Sequence, residues 1–363
     1  MEEEKKKYME RAVELALKGK GFVSPNPMVG AVIVKDGIVL GEGWHRQYGG
    51  LHAEREALAA AKGDVRGADM YVTLEPCCHY GKQPPCTEAV IKSGIKRVFV
   101  GSDDPNPLVN GKGTEILRNS GIEVTTGVLK EKCDSINGIF FHYIKTKMPY
   151  CVCKFAMSAD GKIAAASGES QWISCEESRQ KVHAMRGEYR GILVGIGTVL
   201  ADDPMLNCRI SGMRSPVRII CDSHLKLPLD SKIVKTASEY ETIAACLNAE
   251  CEKAEKLRQA GVKVLEVKEK NGKLDMRDLF LKLGELKIDS LMVEGGGEIN
   301  FSVLKEGLCN KVLIFFAPMI LGGRASKTPV EGEGVESLKE AIRLKEPEIY
   351  KIGSDVVLEY EVI

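Results

Sequence analysis

Residues 29–43, VGAVIVKDGIVLGEG, predict the first strands of the chain. Two apolar, β-branched runs flank the tripeptide KDG, and Asp-Gly between such runs is a strong signal for a β-hairpin. Before this stretch, residues 5–18 carry apolar side chains at helical spacing, and Gly19 provides a stop. The sequence therefore predicts a helix followed by two antiparallel strands.

Downstream of the hairpin, helix and strand patterns alternate. Helices are predicted over 52–63, 84–94 and 113–121, the first of which stops at Gly63. Between them lie a strand pattern at 70–76, MYVTLEP, and a strand with a loop at 97–107, RVFVGSDDPNP. Strands that alternate with helices after an initial hairpin predict an α/β sandwich.

A domain boundary is predicted where the periodicity is lost. Residues 140–150, FFHYIKTKMPY, lack a clear period and carry a lysine cluster and a proline, so the expected domains are 1–146 and 147–363. The second domain begins with a strand over 150–164 and a helix over 176–189, and further strand signals follow. It is again predicted to be α/β, around a sheet of many strands.

The composition is that of a soluble globular protein. Of 363 residues, 44% are hydrophobic and 28% charged, and the length suggests two domains. Lys plus Arg and Asp plus Glu each total 51, so no net field favours nucleic acid or an anionic membrane. No apolar run approaches the roughly 20 residues that span a bilayer, and the charged N-terminus lacks the features of a secretory signal. We expect a cytoplasmic protein whose 12 cysteines are mostly buried thiols, with a minority available as metal ligands.

Four residues of the first domain form a pattern typical of a catalytic zinc site. His52 and Glu54 stand at a predicted helix start, Cys77 follows a strand, and Cys86 opens the next helix. One imidazole and two thiolates suit Zn²⁺ and leave a fourth tetrahedral position for water. Glu54, which is not a ligand, could carry a proton from that water to departing ammonia. Zinc deaminases of nucleobases use such an order, with two residues between the cysteines, whereas here there are eight.

Three neighbouring residues have alternative roles. Cys78 is a competing ligand or a packed thiol, and packing is the more frequent role of a buried cysteine. His79 either contacts substrate or lies on the surface. Lys82 is a phosphate contact, because an ammonium group is a compact point charge, or a solvated loop residue.

The second domain lacks the G-x-G-x-x-G motif of dinucleotide-binding folds, because Leu200 stands where the third glycine of the nearest candidate belongs. Residues 290–304, SLMVEGGGEINFSVL, instead run from a strand through three glycines into a helix. The amides and dipole of such a helix start can hold a phosphate, although a triple glycine is also common in a tight turn.

Longer stretches resemble a known family. SPNPMVGAVIV at 24–34, EPCCHYGKQPPC at 75–86 and DPNPLVNGKG at 104–113 resemble the deaminase half of the bifunctional deaminase-reductase of riboflavin biosynthesis. KFAMSADGKIA at 154–164 and VEGGGEIN at 293–300 resemble its reductase half. The resemblance implies a cytidine-deaminase-like three-layer α/β/α sandwich followed by a dihydrofolate-reductase-like α/β domain.

The resemblance also implies site residues. In that family the spacing of eight residues is normal, and the position of Cys78 is not a ligand. One zinc ion per chain is expected on His52, Cys77 and Cys86, with Glu54 as the catalytic residue. The pyrimidine and ribose phosphate are expected on Asn26, His79, Lys82, Asp104 and Asn106. NADPH is expected on Ala156, Trp172, Thr198, Asp202, Ser223, Gly296, Gly297, Glu298, Ile299, Asn300, Phe301 and Ser302, and the second substrate on Ser170, Arg186, Leu206, Arg209 and Glu294.

Some roles stay open. Arg186 and Arg209 suit a clamp for ribose phosphate, since guanidinium forks match phosphate oxygens. The alternative for each arginine taken alone is a surface ion pair. Trp172 could be a core residue instead of a cofactor contact. Asp160 either acts directly or shapes its loop, and no general acid of the reduction is identified. Nothing carries over to residues 225–275 or to the tail after Arg324.

The expected function is a two-step conversion of a phosphorylated pyrimidine. Zinc-bound hydroxide deaminates 2,5-diamino-6-(5-phosphoribosylamino)pyrimidin-4(3H)-one to 5-amino-6-(5-phosphoribosylamino)uracil, and NADPH then reduces the ribosyl group to ribityl. Homo-oligomerisation is implied by the resemblance alone. One alternative is a deaminase of another nucleobase or of nucleic acid, which would need a basic surface and stacking aromatics, whereas the net charge is zero and aromatics are 6%. The other alternative is a protein in which one domain has lost its chemistry and only binds its ligand.

Overall fold

The structure, a computed structural model, describes residues 2–363. The chain divides between Lys147 and Met148 into two compact units. The boundary expected from the sequence lies one residue earlier, between 146 and 147. Among the described residues, none of the helices combines the length and the hydropathy that crossing a bilayer requires.

The first unit alternates helices and strands in the predicted order. Its elements are α1 (Glu2–Leu17), β1 (Gly30–Lys35), β2 (Ile38–Trp44), α2 (Ala53–Ala59), β3 (Asp69–Leu74), α3 (Cys86–Ser93), β4 (Arg97–Ser102), α4 (Lys112–Asn119), β5 (Glu123–Thr125), α5 (Lys130–Ile136) and α6 (Gly138–Thr146). The strands form one sheet in the order β2-β1-β3-β4-β5. β1 is antiparallel to β2 and β3, whereas β3, β4 and β5 are parallel.

Both faces of this sheet are covered by helices, because successive strand residues point to opposite faces. Ile33 and Val98 pack against α2, α3 and α4 on one face, whereas Val32 and Phe99 pack against α1 and α5 on the other. The first unit is therefore a three-layer α/β/α sandwich. Its parallel strands β3 and β4 end at the same edge, and the polar residues that follow them lie there.

The second unit is built on a larger sheet. Its elements are β6 (Tyr150–Ser158), α7 (Glu176–Glu188), β7 (Gly191–Gly195), α8 (Ile196–Asp202), β8 (Val217–Cys221), α9 (Lys232–Lys235), β9 (Thr242–Cys246), α10 (Glu252–Gln259), β10 (Lys263–Glu266), β11 (Glu269–Lys270), β12 (Lys273–Leu274), α11 (Met276–Glu285), β13 (Ser290–Val293), α12 (Gly297–Lys305), β14 (Lys311–Ala317), a 3₁₀ helix (Leu338–Glu340), β15 (Glu348–Ile352) and β16 (Asp355–Glu361). Nine strands lie in the order β10-β9-β8-β7-β13-β6-β14-β16-β15, and β11 pairs with β12 in a separate ribbon.

Two segments to which the sequence assigned no role form the two sides of this sheet. Residues 225–275 supply the parallel strands β9 and β10 at one edge, and the tail after Arg324 supplies the antiparallel hairpin β15–β16 at the other. Between them, the parallel strands from β10 to β14 are packed on both faces by apolar clusters. Buried strands with covered faces are typical of parallel sheets.

The helix α6 corrects one interpretation of the sequence. Residues 140–150 lack a visible period, yet Gly138–Thr146 is helical and ends at Lys147, whose φ is 60°. Phe140 is the buried residue of this helix. A helix of nine residues is too short for an amphipathic period to stand out, because such a period is read over about 11–18 residues.

Candidate active sites

Three potential metal ligands converge at one edge of the first sheet. His52 directly precedes α2, Cys77 follows β3, and Cys86 is the first residue of α3. The His52 Nδ1 atom lies 3.4 Å from the Sγ atoms of both Cys77 and Cys86, and the three ligand atoms lie within 4.8 Å of one another. An imidazole and two thiols at this separation fit a zinc ion.

Glu54 lies in the first turn of α2 and is buried beside these ligands. Glu54 is only 3% exposed. This burial, followed by the negative charge of Cys77, raises the pKa of Glu54 to about 7. The hydrogen bond from the Cys86 thiol, followed by contact with His52, lowers the pKa of Cys77. A carboxyl group with a pKa near neutrality can both take up and release a proton.

His45 orients the side chain of Asn26. The His45 ring packs edge-on against His52, with ring centroids 5.4 Å apart. Its Nδ1 lies 2.9 Å from the Leu51 carbonyl oxygen, which can only accept, so Nδ1 carries the proton and Nε2 accepts from Asn26 Nδ2 at 3.1 Å. Burial lowers the pKa of His45, in agreement with a neutral ring. The Asn26 amide therefore turns its oxygen away from His45.

Glu75 anchors the loop that carries two predicted substrate residues. This buried carboxylate accepts hydrogen bonds from the backbone N–H groups of Gly111 at 2.9 Å, Thr114 at 3.0 Å and Asp104 at 3.5 Å. The Asp104 carboxylate in turn accepts from Asn106 N at 2.8 Å. Burial raises the pKa of Asp104 to about 6. Glu75 was not predicted from the sequence, although it stands two residues before Cys77.

The three residues with alternative roles lie in different environments. The Cys78 thiol donates to the Leu108 carbonyl oxygen at 3.4 Å and is not part of the metal cluster. The Nδ1 atom of His79 is buried and has no hydrogen-bond partner within residues 2–363. The Lys82 ammonium lies over the Tyr48 ring, 3.9 Å from its centroid.

The second unit contains a cavity of about 1320 Å³. With one exception, every residue that was predicted for the cofactor or the second substrate lines it. The exception is Phe301, which is buried in α12 and has its ring against Gly332. The lining residues include Ala156, Ser170, Trp172, Arg186, Thr198, Asp202, Leu206, Arg209, Ser223, Glu294, Gly296, Gly297, Glu298, Ile299, Asn300 and Ser302. Trp172 is 64% exposed, which excludes the alternative that it is a core residue.

The glycine segment lies between β13 and α12 and borders this cavity. Gly295 and Gly296 have φ values of 154° and 87°, and Gly297 begins the helix. A Cβ atom at Gly295 would lie 3.0 Å from the Thr198 Oγ1 atom, closer than nearly all real contacts. The absence of a side chain at Gly295 therefore leaves room for Thr198, and the φ of Gly296 lies in the region that favours glycine.

A buried ion pair lies on the wall of the cavity. Arg186 donates to Glu294 through Nε at 2.7 Å and through Nη2 at 2.9 Å, and the Lys154 ammonium lies 3.6 Å from the same carboxylate. Burial alone would raise the pKa of Glu294, but the charges of Arg186 and Lys154 lower it to about 2. Burial lowers the pKa of Lys154. Lys154 could not be predicted from the sequence, because its role depends on Glu294, a carboxylate that is distant along the chain.

The two predicted phosphate-binding arginines differ. The Arg186 guanidinium is occupied by Glu294 and by the Asn207 carbonyl oxygen at 3.3 Å. Arg209 lines the cavity and forms no ion pair within the described part of the chain. Arg209 is therefore the guanidinium that can meet an anion.

Asp160 shapes its loop. Its carboxylate accepts hydrogen bonds from the Ser158 hydroxyl at 2.6 Å and from the backbone N–H groups of Leu321 at 3.1 Å and Gly322 at 2.7 Å. These bonds lower its pKa to about 2. Asp160 does not line the cavity, so the structure supports the loop-shaping alternative.

Both units match known protein families. The cytidine and deoxycytidylate deaminase zinc-binding region matches residues 2–102, and the RibD C-terminal domain matches residues 149–358. The riboflavin biosynthesis protein RibD of Actinobacillus pleuropneumoniae is 52% identical over 356 residues, which cover 98% of this chain and 95% of that protein.

Solved structures match over both units. A RibD structure from Acinetobacter baumannii has a TM-score of 0.90 at 35% identity and covers 100% of this chain and 99% of its own. A diaminohydroxyphosphoribosylaminopyrimidine deaminase/5-amino-6-(5-phosphoribosylamino)uracil reductase from Thermotoga maritima has a TM-score of 0.89 at 37% identity, with coverage of 100% and 99%.

The two sites and the two matched families define the class: a zinc-binding deaminase unit followed by a reductase unit that uses a nicotinamide cofactor. The chain belongs to the RibD family and is a bifunctional deaminase and reductase of riboflavin biosynthesis. The predicted fold class, a cytidine-deaminase-like domain followed by a reductase domain of α/β type, is confirmed.

Proposed function

We propose that the first unit deaminates 2,5-diamino-6-(5-phosphoribosylamino)pyrimidin-4(3H)-one and that the second unit reduces the ribosyl group of the product with NADPH. The observation that carries this proposal is the convergence of His52, Cys77 and Cys86 beside the buried Glu54. The name of the Thermotoga relative, which specifies both activities, supports the choice of substrates. Homo-oligomerisation and a cytoplasmic location belong to the same proposal and rest on the family resemblance.

In the deaminase unit, His52, Cys77 and Cys86 would hold the zinc ion. Zinc bound in this way supplies a water molecule that loses its proton near neutral pH. Glu54 accepts that proton and passes it to the amine that leaves as ammonia, a role that suits a buried carboxyl group whose pKa is about 7.

Substrate recognition in this unit is assigned to polar groups around the three ligands. The Asn26 amide oxygen, which His45 turns outward, accepts a hydrogen bond from the pyrimidine. His79 is assigned to the same substrate, and Asp104 and Asn106 sit on the loop that Glu75 anchors. Lys82 supplies a positive charge for the phosphate.

In the reductase unit, NADPH would lie in the cavity of about 1320 Å³, with a phosphate at the start of α12. NADPH supplies the hydride, and the protein positions the sugar carbon and excludes water. Lys226 and Lys232 line the cavity together with Ser223, and their charges favour the additional phosphate that distinguishes NADPH from NADH.

The second substrate is assigned to Ser170, Arg209 and Glu294, with Arg186 and Leu206 completing its surroundings. Arg209 binds the ribose phosphate, while Arg186 holds Glu294 in place. Lys154 donates the proton that the sugar ring oxygen takes up when the ring opens, because burial lowers its pKa and brings proton release closer to neutral pH.

The test follows both reactions in one tube. Purified, zinc-loaded protein is incubated with the diaminopyrimidinone ribosylamino phosphate and NADPH, and ammonia release and NADPH oxidation are recorded together. Ammonia that precedes NADPH loss is the expected result. Ammonia release without NADPH oxidation would contradict the proposed second substrate, and oxidation without prior ammonia release would contradict the proposed order.

A further inference from the structure

A second cluster of three cysteines lies inside the reductase unit, away from its cavity. Cys151 and Cys153 are on β6, and Cys309 precedes β14. Their Sγ atoms all lie within 4.8 Å of one another, and the residues are 0%, 0% and 5% exposed. None of them lines the cavity of this unit.

The backbone holds the three cysteines together. Cys151 and Cys153 are two residues apart on one strand, so their side chains point to the same face of the sheet. Asn310 fixes the position of the adjacent Cys309. Its side-chain oxygen accepts a hydrogen bond from Cys151 N at 2.8 Å, and its backbone N–H donates to the Cys151 carbonyl oxygen at 2.9 Å. The Cys309 thiol donates to the Lys311 carbonyl oxygen at 3.0 Å. We call Cys151, Cys153 and Cys309 the thiol triad.

The thiol triad differs from the other buried cysteines of this unit. Cys208, Cys221 and Cys246 are also buried free thiols. Within residues 2–363, none of these three belongs to a group of three side chains that could share one metal ion. Packing alone accounts for single buried cysteines, whereas the thiol triad forms a preassembled set of soft ligands.

The net charge of the three thiolates together with the bound ion indicates which class of ligand the site can take. Within the described chain, no histidine or carboxylate completes the thiol triad to a tetrahedral set, which structural zinc sites almost always have. Three thiolates around a divalent ion would also leave one net negative charge in an apolar core, and burying an uncompensated charge is costly. Three thiolates around a trivalent centre that prefers three sulfur ligands form a site with no net charge.

We propose that the thiol triad is a binding site for trivalent arsenic or antimony, taken up as the neutral hydroxide. In the case of arsenite, each As–O bond is replaced by an As–S bond, and each hydroxide leaves as water with the proton of one thiol. Three thiols and As(OH)₃ thus give one neutral tris-thiolate centre and three water molecules, and arsenic stays trivalent. Cys309, which has the most exposure of the three, is the point of entry.

Binding would link β6 to the segment before β14 and stabilise the reductase unit, since a ligand that prefers the folded state raises its stability. The zinc-loaded full chain is incubated with arsenite and freed of excess reagent, and arsenic and zinc per chain are measured together with the melting temperature. We expect about one arsenic per chain in addition to the zinc, and a higher melting temperature.

Matched variants locate the bound arsenic. Cys309→Ser should lose at least about nine-tenths of it, because two thiols hold a trivalent centre far less firmly than three. Cys251→Ser, at an exposed cysteine outside the thiol triad, should retain it. Should Cys309→Ser fail to fold, Cys151→Ala tests the same loss at a buried position.

Three results would overturn the assignment. One is the absence of retained arsenic in folded, zinc-loaded protein. Another is equal retention in the unaltered chain and in the folded variant of the thiol triad. The third is a second bound zinc that disappears in Cys309→Ser, which would show that the thiol triad takes a divalent ion and that the charge argument is wrong.

Discussion

Replacing Glu294 with glutamine tests the buried ion pair of the reductase unit. The change keeps the shape of the side chain but leaves Arg186 and Lys154, whose side chains are 15% and 14% exposed, without their shared carboxylate. Removing one partner of a buried pair costs about 3–5 kcal/mol. The pKa of Glu294 gives a similar value: burial opposes the charges of Arg186 and Lys154, yet its pKa falls from 4.5 to about 2, which corresponds to about 3 kcal/mol.

The pH dependence of this loss has a defined sign. A carboxyl group whose folded-state pKa is lowered contributes its full stability above the unfolded value and loses it as the pH falls toward the folded value. The unaltered chain should therefore exceed Glu294→Gln in stability at pH 7, and the difference should shrink between pH 4.5 and about 2. Glutamine cannot titrate, so the variant lacks this component of the acid dependence.

Hydrogen-exchange mass spectrometry of peptides from β13 measures the opening free energy of this unit alone, which matters because two-domain chains often unfold in more than one step. Glu252→Gln is the matched control, since its pair with Lys256 is short, at 2.6 Å, but 83% and 52% exposed. The control should change stability by less than about 1 kcal/mol. Equal stability of Glu294→Gln and the unaltered chain at pH 7 would show that the buried ion pair does not stabilise this unit.

Three further substitutions test the positioning residues. Glu75→Gln should raise the KM of the deaminase and leave zinc content and reductase activity unchanged, because backbone N–H groups lose a charged acceptor; an unchanged KM would contradict this. His45→Phe should lower deaminase kcat/KM about tenfold, because one hydrogen bond to Asn26 is lost. His45→Gln, which can still accept that hydrogen bond, should recover part of the lost kcat/KM. Equal losses in the two variants would contradict the proposed role of His45. Asp160→Asn should speed hydrogen exchange at Leu321. In the unaltered chain the same protection should weaken as the pH falls from 3.8 toward about 2. Protection that does not change with pH would contradict the assignment.

The metal ligands could be predicted because each stands at the end of a regular element. His52 precedes a helix with a clear period, Cys77 follows a strand pattern, and Cys86 follows the prolines that open a helix. Local patterns fix these boundaries, and the parallel strands then bring them to one edge of the sheet. The hairpin was predictable for the same reason, since Asp36 and Gly37 adopt the left-handed conformations that its turn requires.

The parts of the sites that could not be predicted from the sequence depend on contacts between residues that are distant along the chain. Glu75 receives its hydrogen bonds from residues 29 to 39 positions away, and Lys154 acquires its role from Glu294. Asp160 meets Leu321, 161 positions further on. A single sequence carries no signal for such pairs, because periodicity and capping report only on neighbours along the chain.

Glu54→Gln tests whether the chain performs its two reactions at two separate sites. The variant is compared with the unaltered chain for zinc content, for ammonia release from the diaminopyrimidinone substrate, and for NADPH oxidation with the deaminated product supplied. Loss of the proton carrier should lower ammonia release by about 10²–10⁴-fold, while zinc content and NADPH oxidation stay unchanged. An equal fall in both activities at full zinc content would contradict the separation of the two sites.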